Sequence, residues 1–204
     1  MRRVFRFLTW ATIFSLWLFF LGCASSPPTR LYTLSSIAGS EKADNSGSGN
    51  CVSIGIGPVK IPDYLDQAGI VTDLNPNEYL VGAFSKWSEP LEMNISHTLA
   101  RNLMSLLCTK IVSTFPWVGS LPFDYRVLVE VIRMDGVLGE NARLEASWMI
   151  YEGGDKRKLL QAKRTNYSEP SGDKGYESYI AAQSRNLESL SRDIADAMKS
   201  LEKQ

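Results

Sequence analysis

The sequence predicts an α+β fold in a single domain, in which two long amphipathic helices cover a mostly antiparallel sheet. Two segments repeat apolar residues at steps of three and four, which is typical of helices that bury one face. Three later segments alternate apolar and polar residues, and the short connections between them favour antiparallel pairing. The predicted order along the chain is therefore strands, a helix, three strands and a second helix.

The start of the chain has the composition of an export signal. Three arginines lie within the first six residues, and roughly 15 uncharged, mostly apolar residues follow from Phe7 to Leu21. That apolar run is shorter than the ~20 residues that a helix needs to span the hydrocarbon of a membrane. A small residue, Gly22, and a cysteine, Cys23, end the run, and the chain then becomes polar.

The run "LFFLGC", Leu18 to Cys23, resembles the lipobox of bacterial lipoproteins. The resemblance implies signal peptidase cleavage after Gly22, and a covalent diacylglycerol and an N-acyl lipid on Cys23. Two or more acyl chains hold a protein stably on a membrane. Ala24 follows the cysteine, where an aspartate retains such lipoproteins in the inner membrane, so we expect the periplasmic face of the outer membrane. An ordinary signal peptide or an uncleaved anchor is the alternative.

This cleavage divides the chain into a signal peptide of residues 1–22, a lipidated, proline-rich tether of residues 23–30 and one domain of residues 31–204. The chain has 22 basic and 22 acidic residues, and three arginines leave with the signal. The resulting net charge near −3 argues against a nucleic-acid partner. In an exported protein Cys51 and Cys108 can form a disulfide or remain separate thiols, and the sequence leaves both open.

The first half of the domain predicts short elements because prolines and glycines interrupt it repeatedly. Gly57-Pro58 should stop the strand that begins at Val52. The predicted elements are strands at Leu31–Leu34, Val52–Ile56, Gly69–Thr72 and Glu78–Val81, a helical turn at Asp63–Gln67 and a turn at Asn75–Asn77.

The first long helix should begin at Ser88-Glu89-Pro90, where the serine can cap and the proline suits the first turn. We expect it to continue to Phe115-Pro116-Trp117. Its buried face would hold Ile95, Leu99, Leu103, Leu106, Leu107 and Ile111.

The second half predicts longer elements. Strands are expected at Tyr125–Met134 and Arg143–Tyr151, and a hairpin turn at Gly153–Asp155 leads to a strand over Lys158–Tyr167. The predicted inward residues are Tyr125, Val127, Val129 and Val131 of the first strand, and Leu144, Ala146, Trp148 and Ile150 of the second. The C-terminal helix repeats apolar residues from Tyr176 to Leu201, interrupted only by Gln183.

The sequence offers no catalytic or metal-binding pattern. His97 is the only histidine, so neither a histidine-based nucleophilic site nor a zinc cluster can be assembled in the usual way. Asp63 and Asp66 flank Tyr64-Leu65, but aspartates in a proline-bounded turn usually cap and solvate. We therefore predict no enzyme activity, no metal and no cofactor.

Aromatic residues lie in or beside the predicted loops, namely Tyr64, Phe84, Trp87 and Trp117. Tryptophan and tyrosine are common in protein cores, and they also dominate the energetics of interfaces. We predict a partner-binding surface formed by Asp63, Tyr64, Leu65 and Trp87. The alternative is that Leu65 and Trp87 close the sheet edge.

Four pieces of the chain, in order, resemble the bacterial ABC-transporter auxiliary lipoproteins, the PqiC-like family. They are "LYTL" at Leu31, "IGIGPVKIPDYLDQAGIVT" at Ile54, "KWSEPLEMNISHTLARNL" at Lys86, and "FPW" before the strand "YRVLVEV". The resemblance covers nearly the whole domain. It implies a non-enzymatic accessory lipoprotein that works beside a periplasmic MCE-domain protein and an ABC-type permease and ATPase in moving lipids between membranes. A homo-oligomer is left open.

A different class of function remains as the alternative. An envelope assembly or regulatory lipoprotein would bind a peptidoglycan synthase or an outer-membrane barrel protein instead of a transport conduit. Both functions need a lipid anchor and a protein-binding surface, so the residues alone do not separate them.

Overall fold

The computed structural model describes residues 26–37, 51–117, 121–154 and 158–201. The signal peptide, Gly22 and Cys23 lie outside the described residues. The strands are β1 (Arg30–Tyr32), β2 (Val52–Lys60), β3 (Gly69–Asn75), β4 (Glu78–Trp87), β5 (Thr109–Thr114), β6 (Tyr125–Gly136), β7 (Asn141–Glu152) and β8 (Leu159–Pro170), and the helices are α1 (Leu91–Leu106) and α2 (Tyr176–Leu201), with a 3-10 turn at Asp63–Leu65.

The described strands form two sheets, so the expectation of one mostly antiparallel sheet is wrong. The large sheet has the order β5-β2-β6-β7-β8, and β2 pairs in parallel with both β5 and β6. The small sheet has the order β1-β4-β3, with a parallel β1–β4 pair. Because the β3–β4 hairpin and α1 lie between β2 and β5, the chain returns to β2 in the same direction, as a crossover connection requires.

The two long helices cover one face of the large sheet, as expected for an α+β fold. Helix α2 packs on β7 and β8, α1 packs on β2 and β5, and the helices contact each other. The inward faces predicted for two strands are confirmed except at Tyr125, which is half-buried and packs against the core. The other predicted side chains are buried: Val127, Val129, Val131, Leu144, Ala146, Trp148 and Ile150. The core therefore lies between this sheet face and the helices.

The prediction that β2 stops at Gly57-Pro58 is wrong, because the strand continues to Lys60. Its pairing with β6 shifts register between Ile56 and Val59, and Gly57 has a φ of 109°. A glycine in this conformation and a bulge let the strand accommodate a proline that cannot donate to the ladder.

Helix α1 ends at Leu106, well before the predicted end at Phe115-Pro116-Trp117, and Ile111 lies in β5. Strand β5 is rich in threonine, isoleucine and valine, whose branched side chains favour strands. The apolar residues at Leu107 and Ile111 continued the helical spacing by coincidence, and the pairing of β5 with β2 decides the local structure.

A disulfide that the sequence left open joins Cys51 to Cys108, whose Cα atoms are 4.6 Å apart. The two cysteines immediately precede β2 and β5. The backbone N–H of Val52 donates to the carbonyl of Cys108 over 3.0 Å. The bond therefore fixes the N-terminal ends of two neighbouring parallel strands.

Two polar positions that the sequence singled out in the helices are the start of α1 and Gln183 within α2. Pro90 occupies the N-cap position of α1, and the cap has no side-chain hydrogen bond. The expectation that Ser88 caps this helix is therefore wrong. In α2 the interruption at Gln183 is fully buried. Its Nε2 donates to the backbone carbonyls of Asp135 and Arg143 over 3.1 and 3.2 Å, which ties the helix to β6 and β7.

Candidate partner-binding surface

Apolar side chains are exposed on the small sheet. Where the chain is described, the large apolar residues exposed on this sheet are Leu31, Leu74, Tyr79, Leu80, Val81 and Phe84, which we call the hairpin surface. Contiguous apolar patches on a protein surface commonly mark sites that bind proteins or membranes. The hairpin surface is therefore the first candidate for a functional site.

The 3-10 turn places one predicted site residue directly beside this surface. Tyr64 stacks on Tyr79 with ring centroids 4.6 Å apart and ring planes 3° apart. The Tyr64 hydroxyl accepts a hydrogen bond of 3.4 Å from the backbone N–H of Met134, and burial raises the pKa of this hydroxyl. Asp63 is exposed at the start of the turn. Partner binding by Asp63 and Tyr64 stays a prediction, now with a defined neighbour in Tyr79.

Two other predicted site residues lie in the core. Leu65 is 3% exposed and Trp87 is 8% exposed, and both belong to the main apolar cluster. The backbone N–H of Trp87 donates to the carbonyl of Ala68 over 2.8 Å, which closes the end of β4 against the chain before β3. These positions agree with the alternative, in which Leu65 and Trp87 close the sheet edge. Neither side chain is presented to a partner.

We expect Trp87→Ala to lower the free energy of unfolding by about 3 kcal/mol, because it removes a large buried side chain. Phe84→Ala on the same strand is the matched control. Phe84 is 42% exposed, so its loss should change stability by less than about 0.5 kcal/mol. Urea denaturation of both variants measures the difference. Equal costs for the two substitutions would contradict the placement of Trp87 in the core.

A network of four charged side chains fastens the small sheet to the large one. Asp73 lies on β3, whereas Arg133 and Asp135 lie on β6 and Arg143 lies on β7. Each arginine is paired with both carboxylates, with distances of 3.5 Å for Arg133–Asp73 and 3.2 Å for Arg143–Asp135. The other two pairs, Arg133–Asp135 and Arg143–Asp73, are in direct hydrogen-bond contact. The hairpin surface is thus held in a fixed orientation.

The environment of the network explains the direction of its pKa values. Asp135 is fully buried, and its hydrogen bond raises the pKa of Arg133. Burial is the main cause of a raised pKa at Asp73, and the nearby charge of Asp135 adds to it, while the two arginines act in the opposite direction. Removing one partner of such a pair leaves a buried charge uncompensated. Sequence analysis missed this network because about sixty residues separate Asp73 from its partners.

The sequence singled out His97 as the histidine that any histidine-based site would have to use. His97 pairs through Nδ1 with Glu89 over 3.1 Å on the surface of α1. Within the described ranges, no group of three or more His, Cys, Asp or Glu side chains is placed to hold a metal ion. In the same ranges, no helix combines the length and the apolarity that crossing a membrane requires.

Known proteins resemble the chain in both sequence and fold. The Escherichia coli K12 protein "Intermembrane transport lipoprotein PqiC" is 29% identical over 143 residues, which are 70% of this chain and 73% of that protein. A Xanthomonas campestris protein of known crystal structure superposes with a TM-score of 0.69 at 12% identity, over 86% of this chain and all of that one. An uncharacterized protein of known crystal structure superposes with a TM-score of 0.67 at 20% identity, over 84% of this chain and 99% of that one. The two solved structures support the fold.

The family model described as "ABC-type transport auxiliary lipoprotein component" matches residues 32–195. The match begins at the last residue of β1 and ends within α2, so it includes most of both sheets, all of α1, most of α2, the charge network and the hairpin surface except Leu31. The chain therefore belongs to the family of ABC-type transport auxiliary lipoproteins.

Proposed function

We propose that this protein is a non-enzymatic accessory lipoprotein of an MCE/ABC-type intermembrane lipid transport system. In this proposal it is anchored in the outer membrane by lipids on Cys23 and docks the periplasmic conduit, formed by the MCE-domain protein, to that membrane. The observation that carries the proposal is the hairpin surface, a group of exposed apolar side chains on the small sheet, whose first strand starts at the end of the tether.

The position of β1 supports a role close to the membrane. Strand β1 begins at Arg30, the last residue assigned to the tether, and its residues pair with Ser85 to Trp87 of β4. Arg30 is the seventh residue after Cys23, and an extended, proline-rich chain of that length spans about 20 Å. A lipid on Cys23 would therefore keep the start of β1 within that distance of the bilayer.

The disulfide supports an exported protein. Disulfides persist in oxidising compartments such as the bacterial periplasm and are rare in the cytosol. The Cys51–Cys108 bond lies outside the predicted export signal, so it supports export independently of that signal. The name of the Escherichia coli relative places that protein in intermembrane transport, and the family description names an ABC-type transport component.

The test measures binding between the lipidated protein in detergent and a purified MCE-domain protein from the same organism, by biolayer interferometry. Tyr79→Ala combined with Leu80→Ala should weaken binding about 30-fold, because interface anchors contribute ~2 kcal/mol or more. Met104→Ala, which truncates an exposed side chain on α1, is the matched control and should leave binding unchanged. Unfolding curves of each variant exclude loss of folding.

Two results would contradict the proposal. If the wild-type protein does not bind the MCE-domain protein, the transport partner is wrong. If binding persists at full strength in the Tyr79/Leu80 variant, a different surface contacts the partner.

A further inference from the structure

A groove of about 340 Å³ lies on the face of the large sheet that the helices leave open. Its floor contains Arg126 and Leu128 of β6 and Tyr151 of β7, which alternate with the buried residues of those strands. Phe115 and Trp117, which follow β5, form its wall. The groove therefore presents aromatic, aliphatic and cationic side chains together, on a different sheet from the hairpin surface.

Aromatic packing holds the wall of the groove in place. The ring of Trp117 lies 5.4 Å from that of Phe115, edge-on at 87°, and 5.3 Å from that of Phe123. Phe123 is buried against Gly55, where even a Cβ atom would come within 2.9 Å of its ring. Edge-to-face aromatic pairs of this kind are favourable. The indole is thus fixed before any partner arrives, which reduces the entropy cost of binding.

Two donors in the groove lack acceptors. The guanidinium carbon of Arg126 lies 5.3 Å from the centroid of the Trp117 ring. Its Nε atom and the Nε1 atom of Trp117 are both buried, and neither has a hydrogen-bond partner within the described part of the chain. Arginine and tryptophan side chains can only donate. Neither atom can meet a bound group directly, because both are buried, but no carboxylate within the described ranges pairs with the charged guanidinium of Arg126, so an anionic group bound in the groove would be favoured.

We propose that this groove binds an extended segment of a partner protein that presents a carboxylate beside an apolar side chain. The carboxylate pairs with the guanidinium of Arg126, and the apolar side chain packs on Leu128, Tyr151 and Phe115. Tryptophan, tyrosine and arginine are the residues most enriched at interface hot spots. Phe115 is 51% exposed, so the groove is open to a passing chain. The proposal rests on the chemistry of the groove and does not require the partner to be the MCE-domain protein.

The test uses the full-length, lipidated protein in living cells, with the photoreactive residue p-benzoylphenylalanine in place of Phe115. We expect one protein adduct, whose cross-linked peptide, identified by mass spectrometry, contains an acidic residue or a C-terminal carboxylate. Arg126→Gln should reduce the adduct at least tenfold. Arg164→Gln removes an exposed arginine from the same sheet face and should leave the adduct unchanged. The photoreactive residue at position 104, exposed on α1, should not give this adduct.

A second change protects the test if Arg126→Gln fails to fold. Replacing the identified carboxylate of the partner by its amide should give the same loss without altering this protein. The proposal is overturned by no adduct, by an adduct only with lipid or with a second copy of this chain, or by an adduct that both substitutions leave intact. An adduct with a different envelope protein that both substitutions abolish would support the groove proposal. It would do so even if the proposed MCE-domain partner is wrong.

Discussion

Replacing both Cys51 and Cys108 by alanine is expected to lower the free energy of unfolding by about 4 kcal/mol. The two cysteines are 57 residues apart in the chain, so the bond closes a long loop and removes much of the conformational freedom of the unfolded state. The loop that it closes contains β3 and β4 of the small sheet and α1. The bond also holds β5, an edge strand that pairs only with β2 in the described sheet.

Guanidinium denaturation of the oxidised protein, the reduced protein and the double alanine variant measures this contribution. We expect the reduced and alanine forms to agree with each other and to unfold at lower denaturant concentration than the oxidised protein. A reducing agent should have no effect on the alanine variant, which serves as the control. A difference of less than about 1 kcal/mol between the oxidised protein and the variant would show that this bond contributes little to stability.

Cys23→Ala is expected to abolish membrane anchoring by lipid. Without the thiol no diacylglycerol can be attached, and cleavage after Gly22 should fail, so a precursor that retains its signal should accumulate. Two or more acyl chains are needed for stable anchoring by lipid, and the variant carries none on residue 23. Labelling with radioactive palmitate and mass spectrometry of the purified protein measure the modification, and membrane fractionation measures location.

Ala24→Asp is the matched control for this substitution, since it keeps the lipidated cysteine and changes only the following residue. We expect the Ala24→Asp variant to be acylated normally but to fractionate with the inner membrane. Wild-type protein without any acyl group on Cys23 would contradict the assignment of the anchor. A normally acylated wild type in the inner membrane would contradict only the outer-membrane location.

Local patterns were sufficient where one face of an element is buried along its whole length. The structure confirms the inward side predicted for Val127, Val129 and Val131 in β6 and the helical repeat of α2. Each pattern reports which side of an element faces the core, and tertiary packing keeps that side. The same reasoning failed after Leu106, because a few apolar residues at helical spacing also fit a short strand.

The candidate sites show the same division. Sequence reasoning selected Tyr64 and Trp117 as aromatic residues outside the helices, and both contribute to exposed surfaces. It grouped Leu65 and Trp87 with Tyr64, whereas the structure buries both, since closeness in sequence does not decide which way a side chain points. The pairing of Arg126 with Trp117 and the exposure of the hairpin surface had no signal in the sequence.

The sequence by itself determined the helical face of α2 and the inward sides of β6 and β7, and it alone is the basis of the predicted export signal and of the lipobox resemblance. These properties depend on composition and on periods of two or of three to four residues, which are fixed within a single segment. Only the tertiary structure decided the two-sheet arrangement, the parallel neighbours of β2, the Cys51–Cys108 bond and the network around Asp135. All of these join residues far apart in the chain, and their formation depends on the packing of the whole domain, which no local pattern records.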